Sequence, residues 1–122
     1  MRPPIEATQF GSITLGGVVC DHDVLVRPDA RVKRRKKKLS KAVYGTSHTV
    51  SLAEAEYVYG QGEGPERLII GGGQYGRVEL SPEAAEYLAR KQCDVVLLPT
   101  PDVIPTWNDA KGRVIGLFHV TC

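Results

Sequence analysis

The stretch RLIIGGGQYGRVELSPEAAEYLARKQCDVVLL, residues 67–98, decides the fold. Arg67 to Ile70 is a compact apolar run that empties into Gly71-Gly72-Gly73, the pattern of a strand ending in a glycine turn. Ser81-Pro82 then supplies an N-cap hydroxyl and a proline at the first helical position, where its missing N–H is no loss. Ala84, Ala85, Tyr87 and Leu88 form one apolar face of a helix reaching Arg90. Val95 to Leu98 is apolar throughout, as a strand is when both faces of its sheet are covered. Strand, helix and strand in this order imply parallel neighbours joined by a right-handed crossover.

Downstream, Thr100-Pro101 repeats the cap-and-proline device, but Pro105 falls where its ring displaces a helical hydrogen bond. The expected helix therefore breaks, kinks or restarts near Thr106 and ends at Lys111-Gly112, before a third strand from Arg113 to Phe118. Upstream, Ser12 to Leu15 and Val18 to Cys20 flank Gly16-Gly17, a hairpin turn needing positive φ, and Asp23 to Arg27 alternates before the Pro28-Asp29 turn. Ser51 and Glu54 have capping-box spacing and start a helix to about Tyr59. An antiparallel N-terminal hairpin and a parallel C-terminal βαβαβ half predict an α/β fold with a mixed central sheet, in one domain over residues 1–122.

Composition narrows the function. Hydrophobic residues at 42% and charged residues at 25% are ordinary globular usage, so disordered and fibrous classes are disfavoured. No apolar run approaches the roughly 20 residues that cross a bilayer, and MRPPIEATQF has neither a secretory apolar core nor transit-peptide arginines. A cytoplasmic protein without a membrane partner is expected. Cys20, Cys93 and Cys122 are widely spaced with no C-x-x-C pair, which reads as three reduced thiols.

The net charge of +2 conceals an asymmetry, since residues 31–41, RVKRRKKKLSK, hold eight of the sixteen Lys and Arg and no acid. This run lacks apolar periodicity and reads as a solvated, extended loop. Lys33, Arg34, Arg35, Lys36, Lys37, Lys38 and Lys41 are the candidate contacts to an anion or nucleic acid. If all eight cations met phosphates, log K would fall against log salt with a slope near about −7. Against that reading, the run holds no aromatic for base stacking. The plainer account is a solvated loop, enriched in lysine as in proteins of thermophiles.

GGGQYG at 71–76 matches G-x-G-x-x-G, but a dinucleotide site needs the third glycine to open a helix, and here Arg77 to Leu80 intervene. A glycine turn with positive φ is the better reading, and no cofactor is expected. His22, His48 and His119 lack partners at metal-ligand spacing, so no metal is expected either. A couple of Cys122 with His48 or His119 would give a thiol and its base, which negative charge beside Cys122 would weaken. The plain reading of GLFHVTC is that Phe118 finishes a strand while His119, Thr121 and Cys122 anchor its end.

FGSITLGG at 10–17, LIIGGG at 68–73, LSPEAAEYL at 80–88, Thr100, Asn108 and the terminal GLFHVTC together resemble the Mth-domain family of unknown function. Its eukaryotic relatives include an adipogenesis-associated protein and a mitochondrial assembly factor for respiratory complex I. The resemblance runs from Ile5 to Cys122 and implies a three-layer α/β domain with no established reaction. It also implies a candidate pocket at His48, Gly71, Gly73, Thr100, Asn108, His119 and Thr121. Two departures stand out: the lysine-rich stretch replaces tryptophan-bearing sequence, and Pro101 and Pro105 interrupt the helix before Trp107-Asn108. The expected function is a non-enzymatic binding or assembly module with a protein partner. The alternatives are nucleic-acid binding through 31–41 and a small-molecule enzyme with its pocket near Thr100 and His119, no catalytic residue being assigned.

Overall fold

The computed structural model describes residues 2–122. A three-stranded antiparallel sheet is built from β1 (Ile5–Gln9), β2 (Ser12–Leu15) and β3 (Val18–Cys20) in that order. A five-stranded mixed sheet follows, made of β4 (Val24–Val26), β5 (Val32–Arg34), β7 (Arg67–Gly72), β9 (Asp94–Leu98) and β10 (Val114–His119) in the order β5-β4-β10-β7-β9. Short β6 (Thr49–Val50) and β8 (Glu79–Leu80) pair in parallel. The helices are α1 (Lys38–Tyr44), α2 (Leu52–Gln61), α3 (Pro82–Arg90) and α4 (Thr100–Asp109).

The parallel half forms as its sequence predicts: β10 pairs β7, and β7 pairs β9, all in parallel, with α3 and α4 as crossovers. β4 then adds antiparallel to the other edge of β10, so β10 is the central strand, and every residue from Val114 to Val120 is buried. The continuous apolar runs have a two-sided explanation. Val24, Val26, Ile69, Val114 and Phe118 enter one core layer with Ile5, Ile13, Leu15, Val103 and Trp107. Their neighbours Leu25, Leu68, Ile70, Ile115 and Leu117 enter the other, with Ala55, Val58, Ala84 and Leu88. The small sheet and α4 thus cover one face and α2 and α3 the other, a three-layer domain. Gly116 makes room in the first layer, since a Cβ there would lie 2.8 Å from the rings of Phe118 and Trp107, which meet edge to face at 5.2 Å.

Several expectations are corrected. Residues 31–41 are not a solvated, extended loop: Val32–Arg34 is a strand, Lys38–Tyr44 a helix, and Arg35 is buried. The capping box is half formed, because Ser51 Oγ accepts from Glu54 N at 3.1 Å while the Glu54 carboxylate turns to other partners. Pro105 does not break α4, which is continuous from Thr100 to Asp109. Pro105 faces solvent, and burial of Val103 and Trp107 one turn apart holds the helix across the missing bond. Thr100 is not a cap, for Pro99 occupies that position and the Thr100 hydroxyl points elsewhere. β9 is an edge strand and only partly buried, so its apolar run overstated its coverage. β1 escaped the sequence reading, since its residues are mixed in polarity and only Ile5 is buried.

Candidate functional site

Two features compete for a functional role. The first is a buried polar cluster where β4, β10, α1 and α2 meet. The Arg35 guanidinium lies at its centre. Its Nε donates to Glu54 Oε2 at 2.6 Å, one terminal nitrogen donates to Glu54 Oε1 and the Ser47 carbonyl at 2.9 Å each, and the other donates to Asp23 Oδ2 at 3.0 Å. Ser40 Oγ donates to Glu54 Oε1 and accepts from Ser51 N. Such a bidentate pair suits arginine, whose planar fork matches a carboxylate.

Asp23 carries the cluster to β10. Its Oδ1 accepts from Val120 N at 2.9 Å and its Oδ2 from His119 Nδ1 at 2.7 Å. The carboxylate calls for the proton on Nδ1, and Nε2 pairs with the Thr121 hydroxyl at 3.0 Å. Burial opposes ionisation of Asp23, but the hydrogen bond and charge of His119, the Val120 N–H and Arg35 outweigh it and hold the pKa at about 2. His48 meets His119 edge to face with ring centroids 5.4 Å apart. Burial, then the charges of His119, Arg77 and Arg35, push its pKa down.

Most of the expected pocket residues lie here, and Gly71, Gly73, Thr100, His119 and Thr121 are engaged within the chain. Thr100 Oγ1 donates to the His119 carbonyl at 2.8 Å and accepts from Gly73 N at 2.9 Å, which ties β10, β7 and α4 together. Gly73 has φ +96° and is pressed so close to Cys122 that a Cβ would fall 2.2 Å from its carbonyl carbon. Gly71 stands against Thr100 and Phe118. Thr100 N donates to Gly73 O, and the Thr121 and Cys122 carbonyls accept from Gln74 N and Tyr75 N. Residues 119–122 thus occupy the crevice beyond the strand ends in which open α/β sheets bind ligands. Asn108 is not part of this group. It clasps β1, its Oδ1 accepting from Ile5 N at 2.8 Å and its Nδ2 donating to Ile5 O at 3.0 Å.

The glycine turn also leaves the dinucleotide pattern without its helix, since Gly76 has φ +67° and α3 begins only at Pro82. Asp, His and Thr in line resemble a nucleophilic relay. However, His119 is 4% exposed and both its ring nitrogens have partners within the chain. Among the described residues, no three His, Cys, Asp or Glu side chains are grouped to hold a metal.

The second feature is a groove of about 410 Å³ lined by Leu15, Val18, Cys20, His22, Val32, Lys33 and Arg34. It lies between β3 and β5, each the terminal strand of its sheet. Residues directly opposite on paired strands share a face, so Val32 and Arg34 lie on the side of Val26 and Val24, and Val18 on the side of Leu15. These are core-facing sides. Yet Val18 is 61% and Val32 42% exposed, because the two sheets part here and no described residue covers the layer between them. Lys33, on the opposite face with Leu25, reaches Tyr57 OH at 3.2 Å and Gln61 Oε1 at 3.1 Å, and Lys36 Nζ lies 4.9 Å from the Tyr57 ring centre. Arg34, Lys36, Lys37, Lys38 and Lys41 are exposed, whereas Arg35 is committed to Asp23 and Glu54. Sequence reading missed Asp23 and Glu54 as a buried pair of acids, and it missed the groove. No local signal separates the inward Arg35 from its seven cationic neighbours.

Residues 5–119 match the DUF498 family, described as proteins of unknown function (DUF498/DUF598). A conserved hypothetical protein from Pyrococcus horikoshii is 32% identical, with a TM-score of 0.85 over 97% of this chain and 98% of its own. A protein described as MT938 is 34% identical with a TM-score of 0.80, covering 98% of this chain and 99% of its own. A Mth938-like domain from Bordetella pertussis shares the fold at 18% identity, with a TM-score of 0.63 over 97% of this chain and 85% of its own. No helix among the described residues is long and apolar enough to cross a membrane.

Proposed function

We propose that this chain, which belongs to the DUF498/DUF598 family of proteins of unknown function, is a non-enzymatic binding or assembly module that docks a protein partner in the groove between β3 and β5. The observation that carries this reading is Val18 and Val32, two valines on core-facing sides of adjacent sheets that stand open to solvent. An apolar layer left unfinished between two strand edges gains by being covered. The polar cluster supports the same reading by default, since its donors and acceptors pair with one another. The cytoplasm is the compartment proposed, where the three unpaired thiols stay reduced.

Capture from native lysate tests it. The tagged chain retains a stoichiometric protein partner, and Val18→Asp with Val32→Asp releases it while the fold persists by circular dichroism. Undiminished capture by that double variant, or turnover of metabolites by the purified chain without any partner, overturns the reading.

A second reading, nucleic-acid contact through the exposed cations of β5 and α1, is favoured by Tyr57, which brings an aromatic ring beside Lys33 and Lys36. With Arg35 withdrawn from the run, the salt slope for the seven remaining cations falls to about −6. Replacing Lys36, Lys37 and Lys38 by glutamine then lowers RNA affinity and flattens that slope. Unchanged affinity removes this reading.

A further inference from the structure

The occupant of the groove can be specified further, on the assumption that the groove is the docking site. We propose that it is an acidic, extended segment of a partner protein that adds as a strand to the free edge of β5, with one apolar residue followed or preceded by two acids.

The argument starts from the edge. Among the described residues β5 pairs only with β4, so its other side presents a row of backbone groups to solvent. An incoming strand would satisfy them and extend the mixed sheet to six strands, the mode in which main-chain bonds give affinity and alternate side chains give specificity. The face of each β5 residue then sets the pattern. Val32 points into the groove toward the layer of Val18 and Leu15, so the residue beside it is apolar. Arg34 lies on the same face and is exposed, so the residue beside it is acidic. Lys33 points to the other face, where Lys36 shares Tyr57 with it, so the intervening residue is acidic as well. Lys37, Lys38 and Lys41 continue the positive field along α1. Residues 31–41 contain no acid, so nothing within the run itself competes for the incoming carboxylates.

A second copy of this chain fits less well, because its edge strands β1, β3, β5 and β9 read IEATQ, VVC, VKR and DVVLL, and none of them sets an apolar residue beside two acids. Nucleic acid fits the charge but not the apolar floor. A strand edge also needs backbone N–H and C=O groups in register, which a polynucleotide does not offer.

The heptapeptide Thr-Glu-Glu-Val-Glu-Glu-Thr, fluorescein-labelled, is symmetric and serves either strand direction. Anisotropy with the full chain gives saturable binding that weakens with salt, while the same peptide with lysine for glutamate does not bind. Val32→Asp or Arg34→Glu weakens it about tenfold, and Arg34→Gln gives a smaller loss should either variant fail to fold. Of two peptides N-methylated on alternate amides, one set loses binding and the other keeps it, because only one set of N–H groups faces β5. Equal binding of acidic and basic peptides, indifference to both methylation patterns, or binding of a 20-nucleotide single-stranded RNA without the acidic peptide overturns the proposal. Loss of lysate capture in the groove double variant combined with no peptide binding sinks this occupant and leaves the docking groove standing. Retained capture in that variant sinks the groove itself.

Discussion

Arg35 and Glu54 meet through two side-by-side N–H···O bonds of 2.6 and 2.9 Å, and both side chains are shut off from solvent. The pair joins the segment after β5 to α2. Desolvating two charges opposes folding, so the pair holds only with both partners and their added hydrogen bonds in place. Arg35→Met leaves Glu54 and Asp23 buried without their cation and is expected to destabilise the chain by about 3–5 kcal/mol in urea unfolding. The double change Arg35→Met with Glu54→Leu recovers much of the loss. A double variant as unstable as the sum of its singles would show that the two residues do not act as a pair.

Asp23 predicts the acid limb of stability. Its folded pKa of about 2 lies below the ordinary 3.8, so its contribution is fully present above about pH 5 and is lost as pH falls toward 2. That contribution is about 2 kcal/mol. Asp23→Asn removes the pH-dependent part, so its stability changes less than wild type between pH 5 and 2. Parallel curves for the two proteins would place the acid sensitivity elsewhere.

The edge-to-face contact with His119 predicts a shifted titration of His48. His48 is held below its ordinary pKa first by burial and then by the charge of His119. Its ring proton resonances should therefore titrate below pH 6.5, and His119→Gln should move the midpoint upward. Because the lowered group binds protons better when unfolded, it takes stability away as pH drops below 6.5. A midpoint unmoved by His119→Gln refutes the coupling.

Thr100→Val keeps the shape of the side chain and removes its hydroxyl. Gly73 N loses its acceptor and the His119 carbonyl its donor, both in buried positions. The expected loss is about 1–3 kcal/mol, read as a lower unfolding midpoint at unchanged slope.

The thiols should differ in reactivity. Burial, and then Asp94, push the Cys93 thiol up to about 11, whereas Cys20 and Cys122 are half-buried. Iodoacetamide at pH 8 should label the latter two and spare Cys93, mapped by peptide mass. Early loss of the Cys93 thiol in native protein would contradict its place under α3.

Much of the architecture was legible in the amino-acid order because it depends on local patterns. Ser81-Pro82 had to start α3, Gly16-Gly17 had to turn the chain between β2 and β3, and the unbroken apolar runs of β7 and β10 required cover on both faces. The Mth-type family was readable from the same motifs, and so were Thr100, Gly73, His119 and Thr121 as one neighbourhood. What escaped depended on partners distant in sequence. Pro105 reads as a helix breaker until Val103 and Trp107 are seen to hold the helix against the core. Asn108 reads as a pocket residue until β1 is seen to be its ligand. Glu54 reads as half of a capping box until Arg35 is seen to claim it.

The sequence by itself determined the class of fold, the strand–helix–strand crossovers and the concentration of positive charge, since each follows from neighbours a few positions apart. Only the tertiary structure decided which of eight cations turns inward, where two sheets part and what the final residues fill. Those outcomes are set by the balance of charge desolvation against pairing with Asp23 and Glu54, and by how far one sheet can cover another, and neither is encoded in any single stretch of chain.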